Sequence, residues 1–201
     1  MEESAYHHGD LRTALLEAAE DELRKDPGCA LSVRSLASKI GVSPTAPHAH
    51  FKTKSDLLAA LASRGFQTLH EELLMCSQGT QNTRYTLNSL AECYLSFGTK
   101  NVGLYRLMFT TGVDLDANAD LRQTSRAAFE VLRDVIREAL PDSAAIETDA
   151  HSVTAWALVH GFVSLLNEDR IADDIMEDRS VSALAEIATD RILVGTTHKL
   201  D

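Results

Sequence analysis

Along most of this chain apolar residues recur at intervals of three and four, and no stretch of useful length alternates every second residue. That regularity restricts the fold more than any other feature. A period near 3.6 suits one face of a helix, whereas a period of two suits one face of a strand. In residues 10–24, "DLRTALLEAAEDELR", Leu11, Ala14, Leu15, Ala18, Ala19 and Leu23 share a face. Asp10 is placed to cap the start of this helix and "DPG" at 26–28 to stop it. Val33, Leu36, Ala37 and Ile40 repeat the spacing behind Ser32 as N-cap, and Gly41 suits a left-handed C-cap. Longer helical patterns cover roughly 55–76, 83–99, 101–110, 118–139, 147–168 and 179–194, broken by "SQGTQN", "TTGVDLDAN", "LPDS" and "ADDIMED". The expected fold is all-α: a small N-terminal unit over residues 1–66, then a larger helical bundle over 67–201.

Composition narrows the class further. The 201 residues carry an apolar share of 44%, enough for a sizeable core, and only 4 prolines and 10 glycines interrupt helix. No apolar run approaches the length of a membrane span, so the expectation is a cytoplasmic protein without a membrane partner. Cys29, Cys76 and Cys93 are odd in number and form no CxxC pair, which points to reduced thiols and not to a disulfide framework or zinc site. No G-x-S-x-G, H-E-x-x-H, phosphate-loop or dinucleotide fingerprint is present, so neither enzyme chemistry nor a cofactor is expected.

The net charge of −11 argues at first against nucleic acid, but it is unevenly spread. Residues 27–66 hold Arg34, Lys39, Lys52, Lys54 and Arg64 against the single acid Asp56. A phosphate backbone meets such a local face and not the whole-chain charge. Within that window lies "GVSPTAPHAHF", residues 41–51. The reading here is helix, glycine turn, short helix: Ser32–Ile40, Gly41–Val42, Ser43–His50. Ser43 reads as an N-cap with Pro44 at the first helical position, where a missing N–H is harmless. Pro47 disturbs the bond to Ser43 and stands where an inward apolar side chain is wanted. Thr53 and Asp56 have capping-box spacing at the start of the next helix. Alone, this pattern fits a structural helix pair as well as a DNA-binding helix-turn-helix.

"YHHGDLR" at 6–12, "LSVRSLASKIGVSPTAPHAHFKTKSDLL" at 31–58 and "LASRGF" at 61–66 resemble the N-terminal domain of TetR-type transcriptional regulators. "LYRLMF" at 104–109 and "WALVHGF" at 156–162 resemble the C-terminal domain of a branch with a Trp-x-x-x-His-Gly signature. The resemblance implies a three-helix helix-turn-helix DNA-binding domain followed by a ligand-binding and dimerisation bundle. It implies a homodimer that places two recognition helices on double-stranded, palindromic operator DNA, as a repressor released by a small molecule. Ser43, Pro44, Thr45, His48, Ala49 and His50 would lie along that recognition helix, and Ser32, Arg34 and Lys54 would meet phosphates. The family usually has Tyr where this chain has His48, so operator affinity is expected to depend on pH through that imidazole. His48 and His50 are two apart on a helix and point in different directions, so no metal site is expected.

The effector candidates are Tyr94, Phe97, Tyr105, Met108, Phe109, Trp156 and His160, although an aromatic or Met at helical spacing is more often plain core. Their aromatic character with few charges suits a mostly apolar ligand. Residues 153–166 are apolar on every side, so this helix is expected to be covered both by its own bundle and by a partner subunit. The expected dimer contacts are Phe162, Leu165 and Leu166, with Val181, Leu184, Ala188 and Ile192 on the last helix. Competing readings are a helical enzyme and a helical protein-interaction module that has lost DNA binding.

Overall fold

The computed structural model describes residues 8–79, 82–109, 118–140, 145–172 and 174–197. Every regular element within them is helical: α1 His8–Lys25, α2 Val33–Lys39, a 3₁₀ turn Ala46–Ala49, α3 Lys54–Ser77, α4 Thr83–Lys100, α5 Val102–Met108, α6 Ala119–Ala139, α7 Ala145–Asn167 and α8 Val181–Thr197. Tyr6, His7 and parts of all four expected interhelical breaks lie outside the described residues. The chain forms two compact units, residues 1–66 with 101–123 and residues 67–100 with 124–201. None of the helices among the described residues is long and apolar enough to cross a membrane.

In the first unit α1, α2 and the early part of α3 close over Leu15, Leu36, Phe51, Leu57 and Leu61, all buried. Helix α1 begins at His8, so Asp10 falls inside the helix and not at the position before it. The sequence boundary after residue 66 leaves α5 with the second domain, whereas the structure packs α5 against α1. Gly103 makes that possible: a Cβ there would stand 2.6 Å from the Leu23 carbonyl oxygen and 3.0 Å from Pro27 Cα. At the other end of α5 a Cβ on Gly65 would come within 2.7 Å of Met108 Sδ. Phe66 and Phe109 meet edge to face there with ring centroids 5.3 Å apart.

In the second unit α4 packs against both α7 and α8, and α7 against α8. Leu87, Ile136, Ala155 and Ile192 form one core cluster, flanked by Leu132, Val135, Leu140 and Leu193. Polar side chains tie the same helices: Ser182 Oγ donates to Glu92 (3.3 Å), and Arg133 Nε donates to Asp149 (2.6 Å). This packing corrects part of the expected dimer surface. Leu184, Ala188 and Ile192 are buried inside their own chain, because the apolar face of α8 is turned to α4. Phe162, Leu166 and Val181 are half-buried, and Leu165 is exposed.

Candidate nucleic-acid interface and aromatic cluster

Three local devices set the shape of residues 32–57. Ser32 Oγ accepts from the Ser35 N–H at 3.4 Å and caps α2. At the far end Gly41, with φ of +75°, allows the Gly41 N–H to reach Ser38 O and the Val42 N–H to reach Ala37 O, at 3.2 and 2.9 Å. That bond pair is a Schellman motif, which stops α2 and fixes the exit angle of the chain. The start of α3 is held reciprocally: the Thr53 N–H donates to Asp56 Oδ2 (2.9 Å) and the Asp56 N–H to Thr53 Oγ1 (3.1 Å).

Between these fixed ends the expected α-helix over 43–50 is replaced by a 3₁₀ turn at Ala46–Ala49. Pro47 has no N–H to give to Ser43, so the Ser43 carbonyl accepts from Ala46 instead (3.1 Å), and His48 donates to Thr45 at 3.1 Å. The Pro47 carbonyl then accepts from both His50 and Phe51, at 3.0 and 2.8 Å. Pro47 itself is buried, as an inward anchor should be.

Ser32, Arg34, Ser43, Pro44, Thr45, His48, Ala49 and Lys54 are all exposed. Ser43 Oγ and Thr45 Oγ1 are 3.2 Å apart and share a hydrogen. His50 differs, since its Nε2 is buried without a hydrogen-bond partner among the described residues, so that atom is not presented outward. Of the five basic residues in this window, two are engaged with α1. Lys39 Nζ lies 3.4 Å from Glu22 and donates to Ala18 O, and Arg64 Nε lies 3.0 Å from Glu20. Burial raises the Glu20 pKa even beside that guanidinium. Arg34, Lys52 and Lys54 are exposed and in no ion pair among the described residues. Ser35 and Ser38, which the sequence reading passed over, line an open groove with Glu22, Ser32, Arg34 and Lys39. Their spacing from Ser32 by threes was the available signal. Also unread was Arg12, whose guanidinium sits 5.6 Å from the Phe51 ring centre and ties α1 to the end of the turn.

The effector candidates divide between the two units. Tyr94, Trp156 and His160 meet in the second unit: Trp156 Nε1–H donates to Tyr94 OH at 2.9 Å, and that hydroxyl lies 3.3 Å from His160 Nδ1. Burial lowers the His160 pKa, which favours the neutral ring, and a neutral ring can accept the tyrosine hydrogen at Nδ1. Phe129, not anticipated, stacks obliquely on Trp156 with centroids 5.6 Å apart. Phe97 is 2% exposed and is core of the same unit. Tyr105, Met108 and Phe109 belong to the first unit, where α5 needs them against Phe66 and Gly65.

Residues 87–192 match the family described as "Tetracyclin repressor-like, C-terminal domain", and the chain belongs to that family of transcriptional regulators and not to a family of enzymes. A protein of unknown function from Rhodococcus sp. RHA1 shares 27% identity, with 98% of this chain and 100% of that one covered and a TM-score of 0.81. The nucleoid occlusion factor SlmA of Marinobacter nauticus is 28% identical over 160 residues, covering 80% of this chain and 81% of that protein. The TetR-like regulator LfrR from Mycobacterium smegmatis, solved in complex with proflavine, has the same fold, with a TM-score of 0.59 at 19% identity over 94% of this chain and 96% of that one.

Proposed function

We propose that the protein is a homodimeric, ligand-responsive DNA-binding repressor. The observation that carries the reading is the segment between two fixed helix ends, a Schellman stop at Gly41 and a capping box at Thr53, that holds Pro44, Thr45, His48 and Ala49 outward. Arg34, Lys52 and Lys54 flank it as free cations for phosphate, and Thr45 offers a methyl and a hydroxyl to base edges.

Dimerisation is supported by α7. Its inner face is Ser152, Ala155, Val159 and Val163, whereas Ile146, Val153, Ala157 and Leu165 stand exposed at helical spacing. Gly161 lies in the same stripe with nothing within 4 Å of where a Cβ would be. A contiguous exposed apolar stripe of this kind is costly in water and suits a second copy of the same helix. The Tyr94–Trp156–His160 cluster, with Phe129 beside it, supports a mostly apolar effector that finds a hydrogen-bonding partner in the imidazole or hydroxyl. An effector that binds better to the dimer unable to span two half-sites lowers DNA affinity by the same factor.

The test is selection of duplexes from a random pool with the full chain, followed by affinity measurement across a salt series. A palindromic consensus with a steep salt slope supports the reading. Absent or salt-independent binding refutes it and leaves a protein-interaction module.

A further inference from the structure

The turn after Gly41 lacks the side chains with which proteins most often read bases. Residues 43–50 contain no Arg, Lys, Asn, Gln, Asp or Glu, so no side chain there can pair bidentately with guanine or adenine or accept from cytosine as a carboxylate. Pro44 and Ala49 are exposed but carry no polar side-chain atom, Pro47 is buried, and His50 keeps its Nε2 inside. Polar reading therefore falls to Thr45 and His48, with Ser43 bonded to the first of them.

Ser43 Oγ and Thr45 Oγ1 share a hydrogen at 3.2 Å. Both branches of a threonine hang from one torsion, so holding Oγ1 also holds the Cγ2 methyl. A methyl held in place matches the C5-methyl of thymine, the apolar feature of the major-groove code. The exposed His48 ring makes no hydrogen bond among the described residues, which leaves it to a base edge. Its two nitrogens lie on opposite sides of the ring, so one base meets one of them. The negative potential of the duplex favours a donor at that edge over an acceptor. Guanine answers a donor with two neighbouring acceptors, N7 and O6, whereas adenine sets its N6 donor beside N7 and cytosine offers only a donor. The turn also fixes the spacing. The His48 N–H donates to the Thr45 carbonyl at 3.1 Å, and residues three apart on a 3₁₀ turn eclipse. With a rise of about 2.0 Å per residue the two are about 6 Å apart along the turn. Stacked bases repeat every ~3.4 Å, so the pair spans no more than two base steps.

We propose that Thr45 and His48 together read a thymine and a guanine no more than two base pairs apart in each half-site, the thymine through its methyl and the guanine through N7 and O6. The proposal rests on the DNA-binding role given above and adds the bases to it. It assigns His48 to a base edge and leaves phosphate to Arg34, Lys52 and Lys54.

The test uses the full chain on the duplex selected from the random pool, with affinity read by fluorescence anisotropy. Deoxyuridine in place of one thymine at a time removes only the methyl, and 7-deazaguanine in place of one guanine at a time removes only the N7 acceptor. Wild type should lose about fivefold or more at one thymine and one guanine in each half-site, the low end of what a good base contact discriminates. Thr45→Ser keeps the hydroxyl and drops the methyl, so it should be indifferent to deoxyuridine at that position. His48→Ala should be indifferent to 7-deazaguanine, and both variants should keep the wild-type salt slope. Both side chains are exposed, so unchanged urea midpoints are expected to accompany these losses. An equal deoxyuridine loss in Thr45→Ser and wild type overturns the methyl contact. A relaxed salt slope in His48→Ala that keeps full sensitivity to 7-deazaguanine puts the ring on phosphate and overturns the guanine contact. Salt-dependent binding without base preference overturns the whole proposal and leaves the DNA-binding role standing. Absence of DNA binding overturns that role and this proposal with it.

Discussion

The salt dependence of DNA binding follows from which cations are free. Among the described residues Arg34, Lys52 and Lys54 stand exposed without a carboxylate partner, whereas Lys39 is held by Glu22 and the Ala18 carbonyl. The proposed dimer would thus bring six such cations to the duplex, and each phosphate neutralised contributes about −0.9 to the slope of log affinity against log salt. The expected slope is about −5, equivalent to roughly a thousandfold loss between about 50 and 200 mM salt. Lys54→Ala removes one cation per subunit, so the slope should relax to about −3.6 and the loss over the same range to roughly 150-fold. Lys39→Ala should leave the slope where it was, since that ammonium is already neutralised by its own protein. Fluorescence anisotropy on the selected duplex, at constant pH and five or so salt concentrations, reads both slopes. Equal slopes for wild type and Lys54→Ala, or an equal relaxation in Lys39→Ala, would refute the assignment of free and engaged cations.

Gly103→Ala should lower stability by about 2 kcal/mol, since its Cβ would meet the Leu23 carbonyl at 2.6 Å and backbone cannot step aside as a side chain can; the urea midpoint reads it. Asp56→Ala removes one half of the capping box at α3 and should cost about 1 kcal/mol, while Asp56→Asn should cost less; an equal cost for both would contradict the capping role. Burial holds the His160 pKa below its ordinary 6.5, so the unfolded chain binds a proton there that the folded chain resists. Its contribution to stability is therefore full above 6.5 and is lost as pH falls below it toward the folded value. His160→Gln should flatten that decline in the urea midpoint, and Tyr94→Phe should shift the emission of Trp156, the only tryptophan, by freeing its indole N–H.

What was legible in the sequence is what short-range chemistry decides. Ser32 bonds three residues on, Gly41 needs a positive φ at its own position, and Thr53 and Asp56 satisfy each other across one turn. Each of these can be read from residues within five of one another. Partner choice over long range was not legible. Leu184, Ala188 and Ile192 announce an apolar face on α8, but a period says nothing about whether α4 or a second subunit covers it. The same holds for α5. Its residues Tyr105 and Met108 suit any core, and only the close approach of Gly103 to Leu23 shows that the core is that of the first unit.

The recognition segment shows how one missing N–H alters a candidate site. In an α-helix, residues three apart diverge by about 60°, whereas in a 3₁₀ turn they eclipse. With Pro47 unable to donate, the His48 N–H bonds to the Thr45 carbonyl three residues back, which sets the Thr45 and His48 side chains in line on the exposed side. His50, two positions further, turns its Nε2 inward, and Phe51 seals the turn beneath Arg12. The surface offered to a groove is therefore narrower than the row of residues from Ser43 to His50 suggested. It centres on Pro44, Thr45, His48 and Ala49, with a free cation or hydroxyl at each fixed end. On the proposed DNA-binding role, specificity in so small a reading edge would come from Thr45 and His48 acting as one unit, with phosphate contacts from Arg34 and Lys54 holding that pair in register.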